Sequence, residues 1–414
     1  MTTEAMTWGI AGLATAGVII RPFSWPEAVW AVAGAVLLVA LGLLPVGAAW
    51  VGIARGADVY MFLTGMMLLS ELARSEGLFD FLAGEATRFS RGSTSRLFLL
   101  VYLVGVVVTV FLSNDATAVV LTPAVFAATQ AAKIDKPLPY LFICAFVANA
   151  ASFVLPISNP ANLVVFGGGM PPLHDWLRMF ALPSLAAIVV TFAVLRFRLR
   201  HDLGGTVAAP DDRPDLTGCG KIAAAGIVVA ALGLIVSSAL GYELGAPTLI
   251  AGLVTTALVL LIQRTSPLPL IREISWGVLP LVAGLFIFVQ ALDLTGVTAR
   301  LAELLKIAAQ TPVWGAAAGG GVIAFASNLV NNLPAGLVAA SAAHQASSPP
   351  DVTAAILIGV DLGPNLSVTG SLATILWLTA LRREKQNVSA KDFLLLGAIA
   401  MPPALLLSLA ALLL

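Results

Sequence analysis

Apolar residues run along this chain in long blocks, each closed by a charge, a glycine or a proline. Ten blocks have the length of a membrane crossing: 6–20, 28–45, 57–74, 138–166, 176–195, 221–240, 246–263, 276–293, 352–380 and 392–414. A crossing helix needs about 20 apolar residues. Two more apolar regions, 97–130 and 312–344, are too long for one crossing, and each carries a polar cluster at its centre. Each reads either as two full helices or as one hairpin that enters and leaves by the same face. The chain is 59% hydrophobic and 11% charged, against about 25% charged in soluble domains. No Asp, Glu, Lys or Arg lies between Lys306 and Asp351 or between Lys136 and Asp175. Between Arg96 and Lys133 there is only Asp115. A large soluble protein is thereby set aside. Met1 to Met6 carry no Lys or Arg, so the first block reads as a retained helix rather than a signal peptide.

Basic residues orient the crossings, because cytoplasmic loops collect them. With both long regions as hairpins and the 196–221 loop in the cytoplasm, only Arg55, Arg178, Arg300 and Lys306 of the 22 Lys and Arg fall outside, leaving 22 − 4 = 18 inside. Both termini then face outward. The polar run around Pro210, Asp211, Asp212 and Pro214 reads as a linker between halves.

The halves repeat one another. Residues 62–78 resemble 282–298, with Gly65 opposite Gly284, Gly77 opposite Gly296 and Glu71 opposite Gln290. Residues 111–121 match 328–338, with Asn114-Asp115 opposite Asn331-Asn332, and 147–166 match 359–377, with Asn149 opposite Asp361. The offsets are 284 − 65 = 219, 331 − 114 = 217 and 361 − 149 = 212. Each half has an odd number of crossings, so the second is inserted upside down. Inverted repeats with interrupted helices at matching places point to a transporter site. The expected fold is an all-α membrane protein with ten transmembrane helices plus two re-entrant hairpins. They form two inverted five-helix repeats, 1–200 and 221–414, joined by a cytoplasmic linker at 201–220, with broken helices at the midplane.

Polar residues concentrate where the apolar blocks are interrupted. Ser113 to Thr117 ("SNDAT") put a charge and an amide inside a region of about 35 residues. A carboxylate at that depth costs roughly 2.5–3.5 kcal/mol on insertion scales, so it faces a cavity or a partner, or Asn114 and Asp115 cap the helix that follows. Ser327 to Gly336 ("SNLVNNLPAG") form the matching tip, placed at 328–333, with a helix starting near Pro334. Proline removes a backbone donor and disfavours helix at the residue before it. The crossing 138–166 therefore breaks around Pro156, Asn159, Pro160 and Asn162, and the crossing 352–380 breaks at Gly363-Pro364 and Gly370. Glu71 pairs with Arg74 near an interface, Asp293 reads as a solvated helix end and Cys144 as a small core residue. His174, His201 and His344 lack metal-ligand spacing, and two cysteines make no disulfide framework. The runs Gly167–Gly169 and Gly319–Gly321 lack the Lys-Ser or Lys-Thr of a phosphate loop and read as tight helix packing. No nucleophile–base pair, metal set or cofactor motif points to an enzyme, and no basic patch points to nucleic acid.

The motifs "FLSNDATAVVLTPAV", "SNLVNNLPAGL" and "GVDLGPNLSVTGSLATILWL" resemble the arsenical pump membrane proteins, the arsenite and antimonite efflux carriers of the ion transporter superfamily. The likeness runs from about Tyr60 to Leu381. One departure is Asn149, where the family pattern leads one to expect an acidic residue. The resemblance implies export of trivalent arsenite or antimonite across the plasma (inner) membrane against a proton gradient, and allows a soluble ATPase subunit docked on the cytoplasmic face. It carries over Asn114, Asp115, Thr117, Asn331, Asn332, Asp361, Asn365, Ser367, Thr369 and Thr374. The broken segment adds Asn149, Asn159 and Asn162, and Asp115 and Asp361 are the candidate proton carriers. The chemistry agrees: a neutral trihydroxide needs amides and hydroxyls that donate and accept, and no Arg or Lys lies in either broken segment. A sodium-coupled dicarboxylate importer and a sodium/proton antiporter of the same superfamily are the rivals, and a channel fits poorly with broken inverted repeats.

Overall fold

A computed structural model describes residues 3–208 and 215–414; the linker residues Pro210, Asp211, Asp212 and Pro214 lie outside the described residues. The first half contains α1 (Thr3–Ile20), α2 (Glu27–Ala40), α3 (Val46–Arg55), α4 (Ala57–Ser75), α5 (Leu78–Phe89), α6 (Thr94–Phe111), α7 (Thr122–Ala131), α8 (Leu138–Ala150), α9 (Pro160–Phe166) and α10 (Leu173–Arg198). A π-helical segment, Ala116–Leu121, leads into α7. The second half contains α11 (Gly218–Ala239), α12 (Gly245–Gln263), α13 (Leu268–Glu273), α14 (Val278–Leu294), α15 (Val297–Ala309), α16 (Pro312–Val330), α17 (Asn332–Ala346), α18 (Pro350–Leu362), α19 (Leu372–Arg383) and α20 (Ala390–Leu412). Among the described residues the chain is all-helical but for an isolated bridge between Ser93 and Thr206.

Seven of these helices are at least 18 residues long and apolar enough to cross a bilayer, among the described residues. Two of the seven, at Thr94–Phe111 and Val313–Val330, overlap the long regions 97–130 and 312–344, the first starting three residues before its region. Those regions do fold back on themselves. α6 turns at Leu112–Asp115 into the π segment and α7, and α16 turns at Asn331 into α17. The crossings expected at 138–166 and 352–380 are each interrupted, between α8 and α9 and between α18 and α19.

Glycines mark equivalent places in the two halves. Gly77 and Gly296 both precede an amphipathic helix in the left-handed region, at φ 73° and 76°, which only glycine adopts cheaply. A β-carbon on Gly65 of α4 would lie 2.2 Å from the Thr248 carbonyl oxygen of α12, and one on Gly284 of α14 would lie 2.9 Å from Ala31 of α2. Thus α4 rests on α12 as α14 rests on α2. Close backbone approach of this kind is how small residues hold helices together in lipid, where burial alone offers little drive. α16 meets α18 in the same way, with Gly359 against the Gly320 carbonyl. Gly167 and Gly169 differ from the tight packing expected of them: both have open space where a side chain would be, and they serve the turn after α9.

The freed backbone groups at the breaks are all the more costly in a bilayer, where water does not rescue them. In the first break the Asn162 amide donates to the carbonyls of Ser152, Leu155 and Pro156 at 2.9, 3.2 and 3.2 Å. The Trp176 indole donates to Phe153 O at 3.2 Å, and the Ser158 hydroxyl reaches back to Val110 O at 3.1 Å. In the second break Asn328 donates to Gly363 O at 2.9 Å and accepts from the Ser367 hydroxyl at 2.7 Å. The Thr369 hydroxyl donates to Asn328 O at 2.9 Å, and Asn332 N donates to Gly370 O at 2.8 Å. Each hairpin is therefore bonded to the break of its own half.

Candidate functional site

The two hairpin tips and the two breaks meet at one small cavity. Its polar lining is Asn114 and Asp115 from the first tip, Asn331 and Asn332 from the second, Asn159 from the first break and Ser371 from the second. Apolar walls come from Val59 and Leu63 of α4 and from Leu281, Val282 and Leu285 of α14. Glu27 also lines it and pairs with Arg21 at 2.9 Å. The cavity volume is about 50 Å³.

Several polar side chains of the lining are helix starts. Asn159 Oδ1 accepts from Ala161 N at 3.0 Å and caps α9. Ser371 Oγ accepts from Thr374 N at 3.1 Å and caps α19. Asn331, at φ 71°, accepts from Leu333 N at 3.3 Å and caps α17. This cap sits further upstream than expected, since the helix begins at Asn332 rather than near Pro334. At the first tip the cap is neither Asn114 nor Asp115 but Ser113, whose hydroxyl accepts from Ala116 N at 3.1 Å. The starts of the 116–131 segment, α17 and α19 thus turn the positive ends of their dipoles toward one space.

What remains free in that space defines its chemistry. The Asp115 carboxylate and the Asn332 side-chain amide have no hydrogen-bond partner among the described residues, and Asn114 uses its oxygen on Asp115 N at 2.9 Å and keeps its amide hydrogens free. Buried polar groups are rarely left unpaired, so this set awaits a solute or water. It offers donors and acceptors, the free carboxylate of Asp115 beside the Arg21-paired one of Glu27, and no Lys or Arg.

The other residues singled out by sequence are placed around the cavity rather than in its lining. Thr117 lies on the π segment and shares a hydrogen bond with Thr109 at 2.8 Å. Asn149 donates to Asn365 Oδ1 at 3.0 Å, and Asn365 donates to Phe146 O at 3.1 Å. Asn162, Ser367 and Thr369 hold the breaks as described, and Thr374 shares a hydrogen bond with Ser371 at 2.9 Å. Asp361 is fully buried, with Oδ1 accepting from Asn159 Nδ2 at 2.8 Å and Oδ2 unpartnered. Asn149–Asn365 and Asn159–Asp361 both run from one half to the other. Glu71 bonds Arg74 at 2.9 Å. Asp293 is not a solvated end: it accepts from Arg55 at 3.1 Å and from Ser341 at 2.7 Å and so ties α14 to α3 and α17. Cys144 is buried, and among the described residues no group of three or more His, Cys, Asp or Glu could hold a metal ion.

Two lining residues escaped the sequence reading. Ser371 was legible in the repeat, since 159 + 212 = 371 makes it the counterpart of Asn159. Glu27 carried no signal beyond an acidic residue at a helix start. Asn328, which stitches tip to break, lies in the second tip motif without a distinguishing feature.

Comparison with known proteins follows from this geometry. The model of the citrate transporter family, CitMHS, matches residues 15–359. The arsenical pump membrane protein of Escherichia coli (strain K12) is 28% identical over 362 residues, covering 84% of each chain. A putative arsenical pump membrane protein of Bacillus subtilis is 24% identical, covering 95% of each. The relatives bear out the resemblance drawn from the tip and break motifs. Among solved structures, the Alcanivorax borkumensis YdaH transporter aligns with a TM-score of 0.57 at 17% identity, covering 88% of this chain and 86% of that one. Neisseria gonorrhoeae MtrF aligns with a TM-score of 0.57 at 14% identity, covering 87% and 81%. At those identities the likeness speaks to fold.

Proposed function

The chain is a member of the citrate transporter family, CitMHS, and on that premise we propose that it is a secondary active transporter exporting trivalent arsenite and antimonite from the cytoplasm by proton antiport. The observation that carries this reading is the cavity: about 50 Å³ between two hairpin tips, lined by amides, one hydroxyl and one free carboxylate, without a cation. One water needs about 10–15 Å³ of such space, so there is room for about three to five waters. A neutral pyramidal trihydroxide has that size, and its three hydroxyls suit Asn114, Asn331, Asn332 and Ser371. Citrate is larger and carries three carboxylates, for which this lining supplies no Lys or Arg. The relatives named as arsenical pumps favour the same solute.

The membrane potential does no work on a neutral solute, so uphill export needs a coupled ion. One proton moving inward supplies about 2.3 kcal/mol per 100 mV, plus the pH difference. Asp115 is the proton carrier in this proposal, because its carboxylate faces the cavity unpartnered; Asp361, held by Asn159, is the second candidate. Thr117, Asn149, Asn162, Asn365, Ser367, Thr369 and Thr374 position the tips and breaks.

The accompanying architecture is two inverted repeats of five crossings and one re-entrant hairpin, with both termini outside. It is supported by the helix-by-helix correspondence of the halves, by the equivalent glycines, and by the two tips meeting at one cavity. Uptake into everted vesicles tests the function. A pH gradient, acidic inside, should drive accumulation of arsenite and antimonite. Sodium-driven uptake of citrate, with no response to arsenite, would overturn the proposal.

A further inference from the structure

A second cavity lies on the other side of the second hairpin. It is an apolar groove of about 960 Å³ between α1, α14, α15, α16 and α17. Its walls on α16 run from Ala318 to Val330, 12 steps at about 1.5 Å each, or about 18 Å. That matches one leaflet of a hydrocarbon core about 30 Å thick. Val322 and Leu329 on its wall are 69% and 77% exposed, so the groove opens sideways into the bilayer. One end reaches the hairpin: Leu285 and Pro334 line both this groove and the solute cavity. The other end holds Arg300, whose guanidinium carbon lies 5.9 Å from the centre of the Trp8 ring. The Trp8 indole is itself fixed by a 2.9 Å hydrogen bond to Thr295. Arg300 is the sole charged residue of the lining, and no carboxylate among the described residues pairs with it.

We propose that this groove is a binding site for one anionic phospholipid, with an acyl chain along α16 and the headgroup phosphate on Arg300. The shape and the charge point to the same ligand. A leaflet-long apolar slot takes an acyl chain, and an interfacial guanidinium beside an indole takes a phosphate, which Arg binds with directed charge-assisted hydrogen bonds. The chain wedges between α1 and α14 on one side and the hairpin on the other, and its end touches the back of the tip through Pro334. The site stands whatever the transported solute is.

The test uses the full chain purified in mild detergent, with bound lipid counted by native mass spectrometry during titration with phosphatidylglycerol or phosphatidylcholine. The wild type should hold one phosphatidylglycerol per chain and prefer it about tenfold, roughly the weight of one charge-assisted contact. Arg300→Ala should lose that preference. Gly319→Leu should lose the lipid, because the nearest heavy atom to an added β-carbon is 3.7 Å away and the side chain would occupy the slot; Ala326→Leu is a second filler if the first does not fold. Unchanged lipid in a folded filler variant, or unchanged preference in Arg300→Ala, overturns the proposal. So does a wild-type dimer that the fillers convert to monomers, since a second copy would then cover the groove.

Discussion

Asn159 does two jobs at once, and exchanging it with Asp361 separates them. Its oxygen caps α9 and its amide donates to Asp361 at 2.8 Å. Asn159→Ala removes a cap of about 1 kcal/mol and a hydrogen bond to a charged group of about 1.5–3 kcal/mol, so a loss of about 2.5–4 kcal/mol is expected. Asn159→Asp keeps the cap but sets two carboxylates against each other. At about 4 Å and an effective dielectric of about 20 that repulsion is about 4 kcal/mol; with the lost hydrogen bond the total is about 6 kcal/mol, unless the pair takes up a proton. Asn159→Asp combined with Asp361→Asn restores one amide and one carboxylate with their places exchanged, and stability should return to within about 1 kcal/mol of wild type. The coupling in the double-mutant cycle should then reach at least about 3 kcal/mol. Thermal unfolding in detergent, followed by size-exclusion fluorescence, ranks wild type, Asn159→Ala, the single variants Asn159→Asp and Asp361→Asn, and their combination. An exchange variant no more stable than Asn159→Asp alone would refute the pairing, and with it the link between the two breaks.

Other expectations follow from the same contacts. Asp115→Asn should fold normally, because Ser113 and not Asp115 caps the segment, and should abolish accumulation of arsenite driven by a pH gradient; accumulation at the wild-type level in everted vesicles would remove Asp115 from coupling. Asn332→Ala should impair transport at least tenfold with little change in expression, about the weight of one solute hydrogen bond of roughly 1.5 kcal/mol; unimpaired flux would take the second tip out of the site. Cys144→Ser with Cys219→Ser should leave resistance largely intact, since Cys144 is buried outside the cavity lining, and loss of transport at normal expression would sink the account based on hydrogen bonds. Gly359→Ala should cost folding yield, because its β-carbon would stand 2.2 Å from Gly320 O, whereas Gly233→Ala on α11, with open space around it, should not; equal yields of the two would contradict the α16–α18 packing.

The elements that carry the solute cavity were legible in the sequence because lipid makes polarity conspicuous. Asn114, Asp115, Asn331 and Asn332 stood out for lying inside uncharged apolar regions, and proline at 156, 160 and 364 announced the breaks through backbone chemistry alone. What pattern does not reveal is which polar atom is already used. Asn162 and Asn332 look alike in sequence, yet the amide nitrogen of one is taken up by backbone carbonyls and that of the other is free. Likewise Asp293 sits near a helix end, as a solvated residue would, and only the approach of Arg55 and Ser341 makes it a clasp. The apolar groove left no trace, because a wall facing an acyl chain and a wall facing another helix are written in the same residues.

The glycine contacts between α4 and α12 set a mechanical limit. A β-carbon on Gly65 would strike Thr248 O, and one on Gly252 would come within 2.7 Å of Gly65 O, so these backbones touch with no side chain between them. Such a joint has no lubricant: sliding would drive carbonyls into carbonyls, and interfaces packed at this density switch between discrete seatings rather than deforming smoothly. α2 and α14 form a similar joint at Gly284 and Ala31. The two pairs therefore move as units, and so does α16 with α18, joined in the same way at Gly320 and Gly359.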